Sequence, residues 1–423
     1  MHAVGAFPNV GCRRRHPVHR SAVLLTSSFA RRSWQRYEER YTIFQFYRRL
    51  MLNLVALDGR YGVEAYSLNI IEPIRSAKPA NARYGISTGG VSPTVKGVSV
   101  AVKADRYPAF ESLDRIAVTE MRPPTSPAGI VAAFYSLVRA PEDSPLTYQI
   151  SRAILDLTPG KALIVTGLVD THRFPVGEID GPLGSIALAR ALVALGHDVT
   201  IIVDREAIAP ITAVLDAADI SGIDLHAASF TDAAAAQEFG AQFGLVVAVE
   251  KLGRNSKGGR HLVWGTPVLI GDEFADDYVI GAAAAGGLTV GVGDNGNEIG
   301  FGKIRELAEP LTPAGVVVDG GFFAATDVDY LLPASVSNFG CYALISALAI
   351  ASGRGELALD GETIGRWTNV GLDNGLRSGG VDDVHFRGDD GIPTRFVVAT
   401  AEMFAGIVHQ ALLGDAWVAA TSA

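Results

Sequence analysis

The most unusual segment of the chain lies between Gly293 and Lys303 and reads GDNGNEIGFGK. Its glycines favour a tight turn with exposed N–H groups, while its acids, amides and lysine supply a base, acceptors and donors. Asp294 and Glu298 are therefore candidates for acid–base chemistry. The alternative is a turn whose polar side chains only face solvent.

A second polar group begins with Glu250, directly after an apolar run, and continues to Lys251 and Arg254. A carboxylate at such a position is costly to bury unless it is used or paired. Lys251 and Arg254 could bind a carboxylate of a substrate, arginine by a two-pronged contact. The alternative is an internal Glu–Arg pair that orders the loop.

A third group precedes an Ala/Leu-rich helical stretch and contains Asp180, Gly181 and Gly184. Asp180 is a plausible helix N-cap, and the glycines could let an anion approach the free N–H groups of the helix. Ordinary capping is the alternative. Asp204 follows the next apolar run, as a ribose-binding acid would, but the glycine spacing is not that of a dinucleotide fingerprint.

These polar groups follow short apolar runs that alternate with helical stretches, such as the one over Gly181–Gly196. The predicted strands are Ala162–Thr166, Val199–Val203, Leu245–Val249, Thr289–Val292 and Gly315–Val318. Continuous apolar strands between helices indicate a doubly wound α/β fold, with a mostly parallel sheet and helices on both faces. Ligands then bind beyond the carboxyl ends of the strands.

The N-terminal part is less regular. We expect residues 1–37 to be a disordered or targeting leader, because they contain no acid and many arginines. Residues 38–150 are predicted to form a helical segment with a small insertion over 81–150, and residues 151–423 the α/β domain. A cytoplasmic location is expected, with the mitochondrial matrix as the alternative if the leader is a transit peptide.

Composition excludes several classes of protein. The 423 residues carry 45 acids against 36 Lys and Arg, a formal charge of −9, which argues against a nucleic-acid partner but not against a small anionic substrate. The two cysteines are too few for a disulfide framework. No uninterrupted apolar run approaches the roughly 18 residues of a membrane span, so no membrane partner is expected.

Together these segments resemble the C-terminal domain of the D-glutamate cyclase family, over roughly residues 150–410. The matching segments are Leu163–Gly167, Glu178–Gly184, Glu250 with Gly253-Arg254, Gly293–Gly302, Thr326-Asp327 and Val336–Gly340. The resemblance implies a hydro-lyase that cyclises D-glutamate, or a related amino acid, to 5-oxo-D-proline with loss of water. One departure is the loop Gly259–Gly265, which lacks the aromatic pair and Met-Arg-Gly-like stretch usual in the family.

Lactam formation needs a base for the α-ammonium, donors at the carboxylates and a proton source. On their placement after predicted strands, Glu298 or Asp294 is the acid–base candidate, and Glu250 is a third catalytic candidate. The substrate-binding candidates are Asp180, Gly181, Gly184, Lys251, Arg254, Asn297 and Asn338. Glu250, Asp294 and Glu298 could instead hold Mn²⁺ or Mg²⁺ through oxygen ligands.

Two other functions stay open on the sequence. One is a nucleotide-binding α/β protein, which the missing glycine fingerprint disfavours. The other is a non-catalytic binder of a small ligand that retains the fold, for which the altered loop Gly259–Gly265 is the argument. The oligomeric state is also open, with a homo-oligomer as one alternative.

Overall fold

A computed structural model describes residues 107–123, 129–141 and 144–421 of the chain. The predicted leader over 1–37 and the helical stretch predicted over 38–80 lie outside these residues. The predicted boundary at 150/151 falls inside a helix, Leu146–Leu155.

The centre of the described part is a six-stranded parallel sheet. Its strands are β1 Lys161–Thr166, β2 Asp198–Val203, β3 Ile223–Ala227, β4 Leu245–Val249, β5 Leu288–Gly293 and β6 Tyr330–Pro333. Their order is β3-β2-β1-β4-β5-β6, so the chain winds outward in one direction from β1 and in the other from β4. The predicted doubly wound fold is confirmed.

Helices precede, connect and follow the strands. They are α1 Tyr107–Ala117, α2 Val131–Arg139, α3 Leu146–Leu155, α4 Pro182–Ala194, α5 Ile208–Ala218, α6 Ala233–Gly240, α7 Ala275–Ala284, α8 Arg305–Ala308, α9 Ser337–Ser352, α10 Gly361–Asp373 and α11 Thr394–Thr421. A two-residue hairpin, β7 Gly388–Asp389 and β8 Ile392–Pro393, precedes α11.

Both faces of the sheet are buried, which explains why its central strands are continuously apolar. In β1, Ala162 and Ile164 belong to one hydrophobic cluster, whereas Leu163 and Val165 belong to a second. Successive side chains of a strand point to opposite faces, so each face packs against its own helical layer. The first cluster also takes in residues of α1 and α3, so part of the predicted insertion belongs to the main core.

Helix α9 lies at the middle of the larger layer, and nearly all of its residues are buried. It packs against α1, α3, α4 and α11. A helix that is surrounded on all sides needs no charged face, which is why this helix contains no charged side chain.

One predicted strand is not a strand in the structure, and two strands of the sheet were not predicted. Gly315–Val318 is wrong as a strand, because it forms a turn and loop in which Val317 is 92% exposed. β3 was missed because its burial alternates along an edge strand, and β6 because it has only four residues and ends in Pro333. A β-branched run is thus no sign of a strand unless neighbours bury it.

Helix α11 contains a stretch, Thr394–Gly414, that is long and apolar enough to cross a membrane by length and composition. The stretch is not an uninterrupted apolar run, because it contains Arg395 and Glu402. One face of the helix, including Val397 and Phe404, packs into the main core, and 28% of the apolar stretch is buried. The prediction that the protein has no membrane partner stays a prediction.

Candidate active site

A half-open cleft lies at the carboxyl ends of the parallel strands β1 and β4, where the direction in which successive strands are added to the sheet reverses. Its empty volume is about 510 Å³, including the open mouth. Three acids line it: Glu178 from the loop after β1, Glu250 after β4, and Asp390 from the β7–β8 turn. Their position agrees with the rule that open α/β sheets bind ligands at such a reversal.

These three acids belong to a larger cluster of carboxyl groups that are all close to fully buried. The cluster consists of Glu178, Asp180, Glu250, Asp294, Glu298, Asp389 and Asp390. The acids on the cleft are 5–8% exposed, whereas Asp294 is 0% and Glu298 1% exposed. Glu250 is therefore the sequence-predicted catalytic candidate that a ligand meets first, and Asp294 and Glu298 lie behind it.

Backbone geometry aims the two cleft acids that follow strands. Glu250 has a φ of 47°, a left-handed conformation that costs energy for a residue other than glycine. Its Oε2 accepts a 2.6 Å hydrogen bond from the hydroxyl of Ser337, which holds the side chain. Asp390 has a φ of 45° and Gly391 of 73°, so the tight β7–β8 turn presents the Asp390 carboxyl to the cleft.

Asp180 caps the start of α9 and not the start of α4, the helix that follows it in the chain and for which capping was predicted. Its carboxylate accepts the N–H groups of Ser337 and Asn338, at 2.9 and 2.7 Å, in the first turn of α9. It also accepts the N–H of Gly181 at 2.8 Å. Asp180 thus ties the β1–α4 loop to the start of α9, where the helix dipole favours a negative charge.

Arg122 is the cation that enters the cluster. Its guanidinium lies 2.5 Å from Asp294 and 3.8 Å from Asp390, and it also binds Glu120. Although burial opposes it, the neighbouring Asp294 raises the pKa of Arg122, which stays charged. Glu298 is held instead by backbone, accepting the N–H of Gly296 at 2.8 Å.

Burial is the largest cause of the raised pKa values in the cluster, and repulsion between neighbouring acids adds to it. Both raise the pKa of Glu178 and of Glu250 well above the usual range, and they raise that of Asp180 to about 7. The pKa of Asp294 is also raised by burial and by Glu250, with Arg122 opposing. At neutral pH such a cluster either retains protons or binds a cation.

The cleft also has an apolar wall. It contains Leu168, Phe174, Leu252 and Leu262, which pack together in a small separate cluster. The wall also includes Val263 and Trp264 of the loop Gly259–Gly265, the segment that departs from the family pattern. The departure therefore lies on the surface of the cleft.

Two cations predicted to bind substrate carboxylates are engaged by protein acids. The Lys251 ammonium lies 2.8 and 2.9 Å from the two carboxylate oxygens of Asp204, and both residues are buried. Arg254 pairs with Asp276 and Asp277 in the first turn of α7. Neither residue lines the cleft.

The predicted glycines serve close packing. A Cβ atom at Gly181 would lie 2.6 Å from the Cβ of Glu250, and one at Gly184 would lie 2.8 Å from the Cβ of Cys341. The N–H of Gly184 donates to Asn338 at 2.6 Å, so this helix start is filled by protein groups. These contacts disfavour a nucleotide phosphate at the N-terminus of α4.

The two predicted asparagines differ in their surroundings. Asn338 is fully engaged, because its Nδ2 also donates to Ile179 and to Asp389. Asn297 lines the cleft and donates to the carbonyl of His261 at 2.7 Å. Its buried Oδ1 has no hydrogen-bond partner among the described residues, so Asn297 can contact a ligand.

Sequence reasoning missed Arg122, Glu178, Asp389 and Asp390. Asp389 and Asp390 precede a glycine in Gly388–Gly391, a turn signal that could have placed them at a surface bend but not at this cleft. Arg122 precedes two prolines in a segment with no readable periodicity. Only the tertiary structure brings these residues to the strand ends.

The set Glu250, Asp294 and Glu298 offers carboxylate oxygens that all lie within 4.8 Å of one another. Asp180, Asp294 and Asp390 form a second such set. Carboxylate oxygens suit Mg²⁺ and Mn²⁺, so the donor chemistry of the predicted metal ligands fits a hard divalent cation.

Comparison with protein-family models decides the assignment. The model described as "D-glutamate cyclase-like, C-terminal" matches residues 131–384. The chain belongs to this family. The resemblance inferred from the sequence is thereby confirmed.

A curated relative is "D-glutamate cyclase, mitochondrial" of Homo sapiens, 31% identical over 220 residues. The match covers 48% of this chain and 35% of the relative, so the chain spans about a third of that protein in the comparison.

The family match contains most of the D-glutamate cyclase-like site, including Glu178, Glu250 and the segment Gly293–Gly302. Arg122 precedes the matched residues, and Asp389 and Asp390 follow them. The cleft of this family member is therefore completed by residues on both sides of the matched region.

Proposed function

We propose that the protein is a hydro-lyase that cyclises D-glutamate, or a closely related amino acid, to 5-oxo-D-proline with loss of water. The observation that carries the proposal is the cleft at the strand ends, which is lined by the buried carboxyl groups of Glu178, Glu250 and Asp390. Membership of the D-glutamate cyclase-like family and the name of the human relative support the same reaction.

Glu250 is the proposed base for the substrate α-ammonium. It faces the cleft, and burial followed by repulsion from Glu298 raises its pKa, which brings its basicity towards that needed near neutral pH. Once deprotonated, the α-nitrogen attacks the carbon of the γ-carboxyl group. A C–N bond forms, a C–O bond of that group breaks, and the nitrogen loses a second proton. The Ser337 hydroxyl keeps Glu250 in position through this step.

The oxygen that leaves must take up two protons to depart as water, the same number that the nitrogen loses. Glu178 and Asp390 line the cleft, and burial raises the pKa of both. A carboxyl group that is still protonated can donate at this step. Arg122 also lines the cleft and can polarise the γ-carboxyl group, while Asn297 orients the substrate.

A divalent cation is the alternative to the base role of Glu250, because a carboxylate bound to a metal ion is not free to take a proton. In that alternative Glu250, Asp294 and Glu298 would hold Mn²⁺ or Mg²⁺. The unpartnered Oδ1 of Asn297 belongs to a residue that lines the same cleft. Such an ion would supply charge stabilisation to a carboxylate oxygen of the substrate.

The test is an end-point assay. Purified protein is incubated with D- or L-glutamate, with and without Mn²⁺, and 5-oxoproline is measured by chiral chromatography. We expect product from the D isomer, and a fall in turnover of at least about 100-fold for Glu250→Gln. Asp319→Asn is the control, since Asp319 is an exposed acid paired with Lys257.

Two results would contradict the proposal. Absence of product from either isomer, in protein that is folded, would favour a non-catalytic ligand binder or another substrate. Full turnover by Glu250→Gln would remove the proposed base. A thermal-shift screen with NAD, NADP and ATP separately tests the nucleotide alternative, because binding to the folded state raises the melting temperature.

The compartment is a separate proposal. The Arg-rich, acid-free residues 1–37 and the mitochondrial name of the human relative both favour the mitochondrial matrix over the cytoplasm. Fluorescent fusions with and without residues 1–37 test it: loss of mitochondrial signal on deletion is expected, and cytoplasmic signal from both fusions contradicts it.

A further inference from the structure

We propose that Arg173, stacked on Trp264 at the apolar wall of the cleft, binds the carboxylate that the substrate keeps through the reaction. This inference rests on the proposed function and names a specificity residue for it. Neither the motifs of the sequence nor the candidate residues considered above include Arg173.

The cations around the cleft differ in how firmly protein acids bind them. Lys251 is bound by buried Asp204, and Arg122 is bound by buried Asp294. Arg173 lines the cleft and pairs with Asp382 at 3.3 Å, but Asp382 is 93% exposed and Arg173 itself 38% exposed. An ion pair with so exposed a partner is weak, so a substrate carboxylate can replace Asp382.

Arg173 is held in place before any ligand binds. Its guanidinium carbon lies 5.0 Å from the centroid of the Trp264 ring, within the range of a cation–π contact. Its backbone N–H donates to Asp170 at 2.8 Å, and its carbonyl accepts from Arg377 at 3.1 Å. A guanidinium fixed in this way presents its fork to a carboxylate with little further ordering.

Lactam formation removes some charges of the substrate and keeps one. Cyclisation consumes the charges of the α-ammonium and the γ-carboxylate, while the α-carboxylate remains charged in both substrate and product. The acids that line the cleft, Glu178, Glu250 and Asp390, suit the ammonium and repel a carboxylate. The one charge that persists therefore needs a cation that lines the cleft and is not bound by a buried acid, and Arg173 meets both conditions.

The apolar wall fits the same orientation. When the substrate folds so that its nitrogen meets the carbon of the γ-carboxyl group, its two methylenes form a non-polar face. Leu262, Val263 and Trp264 line the cleft and can cover that face, and covering it favours the folded conformer. The altered loop Gly259–Gly265 thus contributes both the wall and the ring that orients Arg173.

Arg173→Gln is the test variant, with turnover and binding as separate readouts. We expect KM for D-glutamate to rise about 10- to 100-fold with kcat changed little, because the contact is present before, during and after the reaction. Binding of 5-oxo-D-proline, measured by calorimetry, should weaken equally. Binding of 2-pyrrolidinone, the same lactam without the carboxylate, should be unaffected.

Two further variants separate recognition from loop ordering. Asp382→Asn removes the protein partner of Arg173, and we expect KM to be unchanged or lower. If Arg173 only ordered the loop through Asp382, both variants would raise KM alike. Arg354→Gln is the matched control, since Arg354 is 40% exposed and paired with exposed Glu356.

The outcomes distinguish the two proposals. If the wild type binds 5-oxo-D-proline but turns over no glutamate, the proposed reaction fails, and loss of that binding in Arg173→Gln still supports the anchor. Equal binding of 5-oxo-D-proline by the wild type and Arg173→Gln overturns the anchor alone. Failure of the wild type to bind any of these carboxylates overturns the anchor as well.

Discussion

The ammonium of Lys251 lies between both carboxylate oxygens of Asp204, at 2.8 and 2.9 Å, and also donates to the carbonyl of Gly167 at 3.0 Å. Asp204 in turn accepts the N–H of Asp272 at 2.6 Å. The pair therefore joins the segments that follow β1, β2 and β4. A cation bound in this way has a structural task rather than an open bond for a substrate.

Lys251→Met should therefore lower stability rather than raise KM. Removing one partner leaves a buried charge uncompensated, at a cost of about 3–5 kcal/mol in the free energy of unfolding. Chemical denaturation monitors the loss, and Lys251→Met/Asp204→Asn should recover part of it. Lys257→Met, which breaks an exposed pair, is the control and should cost about 1 kcal/mol or less. A raised KM at unchanged stability would restore the substrate-binding role of Lys251.

Gly181→Ala should be more destabilising than an equivalent change elsewhere. Gly181 has a φ of 91°, and a Cβ there would clash with the Cβ of Glu250. Gly286 has a similar φ of 82°, with nothing within 4 Å of an added Cβ. Both changes place an L residue at a positive φ, but only Gly181→Ala also meets a clash, so it should cost about 1–3 kcal/mol more. Equal unfolding free energies would show that the β1–α4 loop can move away.

Stability of the metal-free protein should fall as pH rises from about 4 through 7. Burial raises the folded-state pKa of Asp180 to about 7, so between these values the folded state binds more protons than the unfolded state. Its contribution is complete below the unfolded pKa and is lost as pH rises through the folded pKa. Asp180→Asn should show a flatter pH dependence in urea denaturation. The expectation fails if the two slopes coincide.

Mn²⁺ should raise the melting temperature of EDTA-treated protein, and more so at pH 8 than at pH 6, because the ligands must lose their protons. At a Mn²⁺ concentration about 100 times its dissociation constant, the free energy of unfolding should rise by about 2.7 kcal/mol. Glu298→Gln and Asp294→Asn should reduce both this shift and turnover, whereas Asp319→Asn should change neither. Unchanged activity after exhaustive EDTA treatment would contradict a role for the metal ion in the reaction. Full turnover by both variants would contradict the assignment of Glu298 and Asp294 to the site.

The sequence by itself determined the sheet and the residues at its strand ends. Apolar runs such as Leu245–Val249 and Thr289–Val292 are continuous because both faces of a parallel sheet are buried, and that pattern is local. It follows that Glu250 and the segment Gly293–Gly302 come to the same edge. The pattern fails for β3 and β6, whose burial depends on neighbours that are distant along the chain.

Only the tertiary structure decided how these polar residues are used. Lys251, Arg254 and Asn338 are of the right type for substrate binding, but folding places protein groups against each of them. Arg122, Asp390 and Arg173 come from loops with no periodic signal, and the fold brings them to the cleft. Local sequence sets which side chains are present at a strand end, whereas long-range packing decides which of them remain available to a ligand.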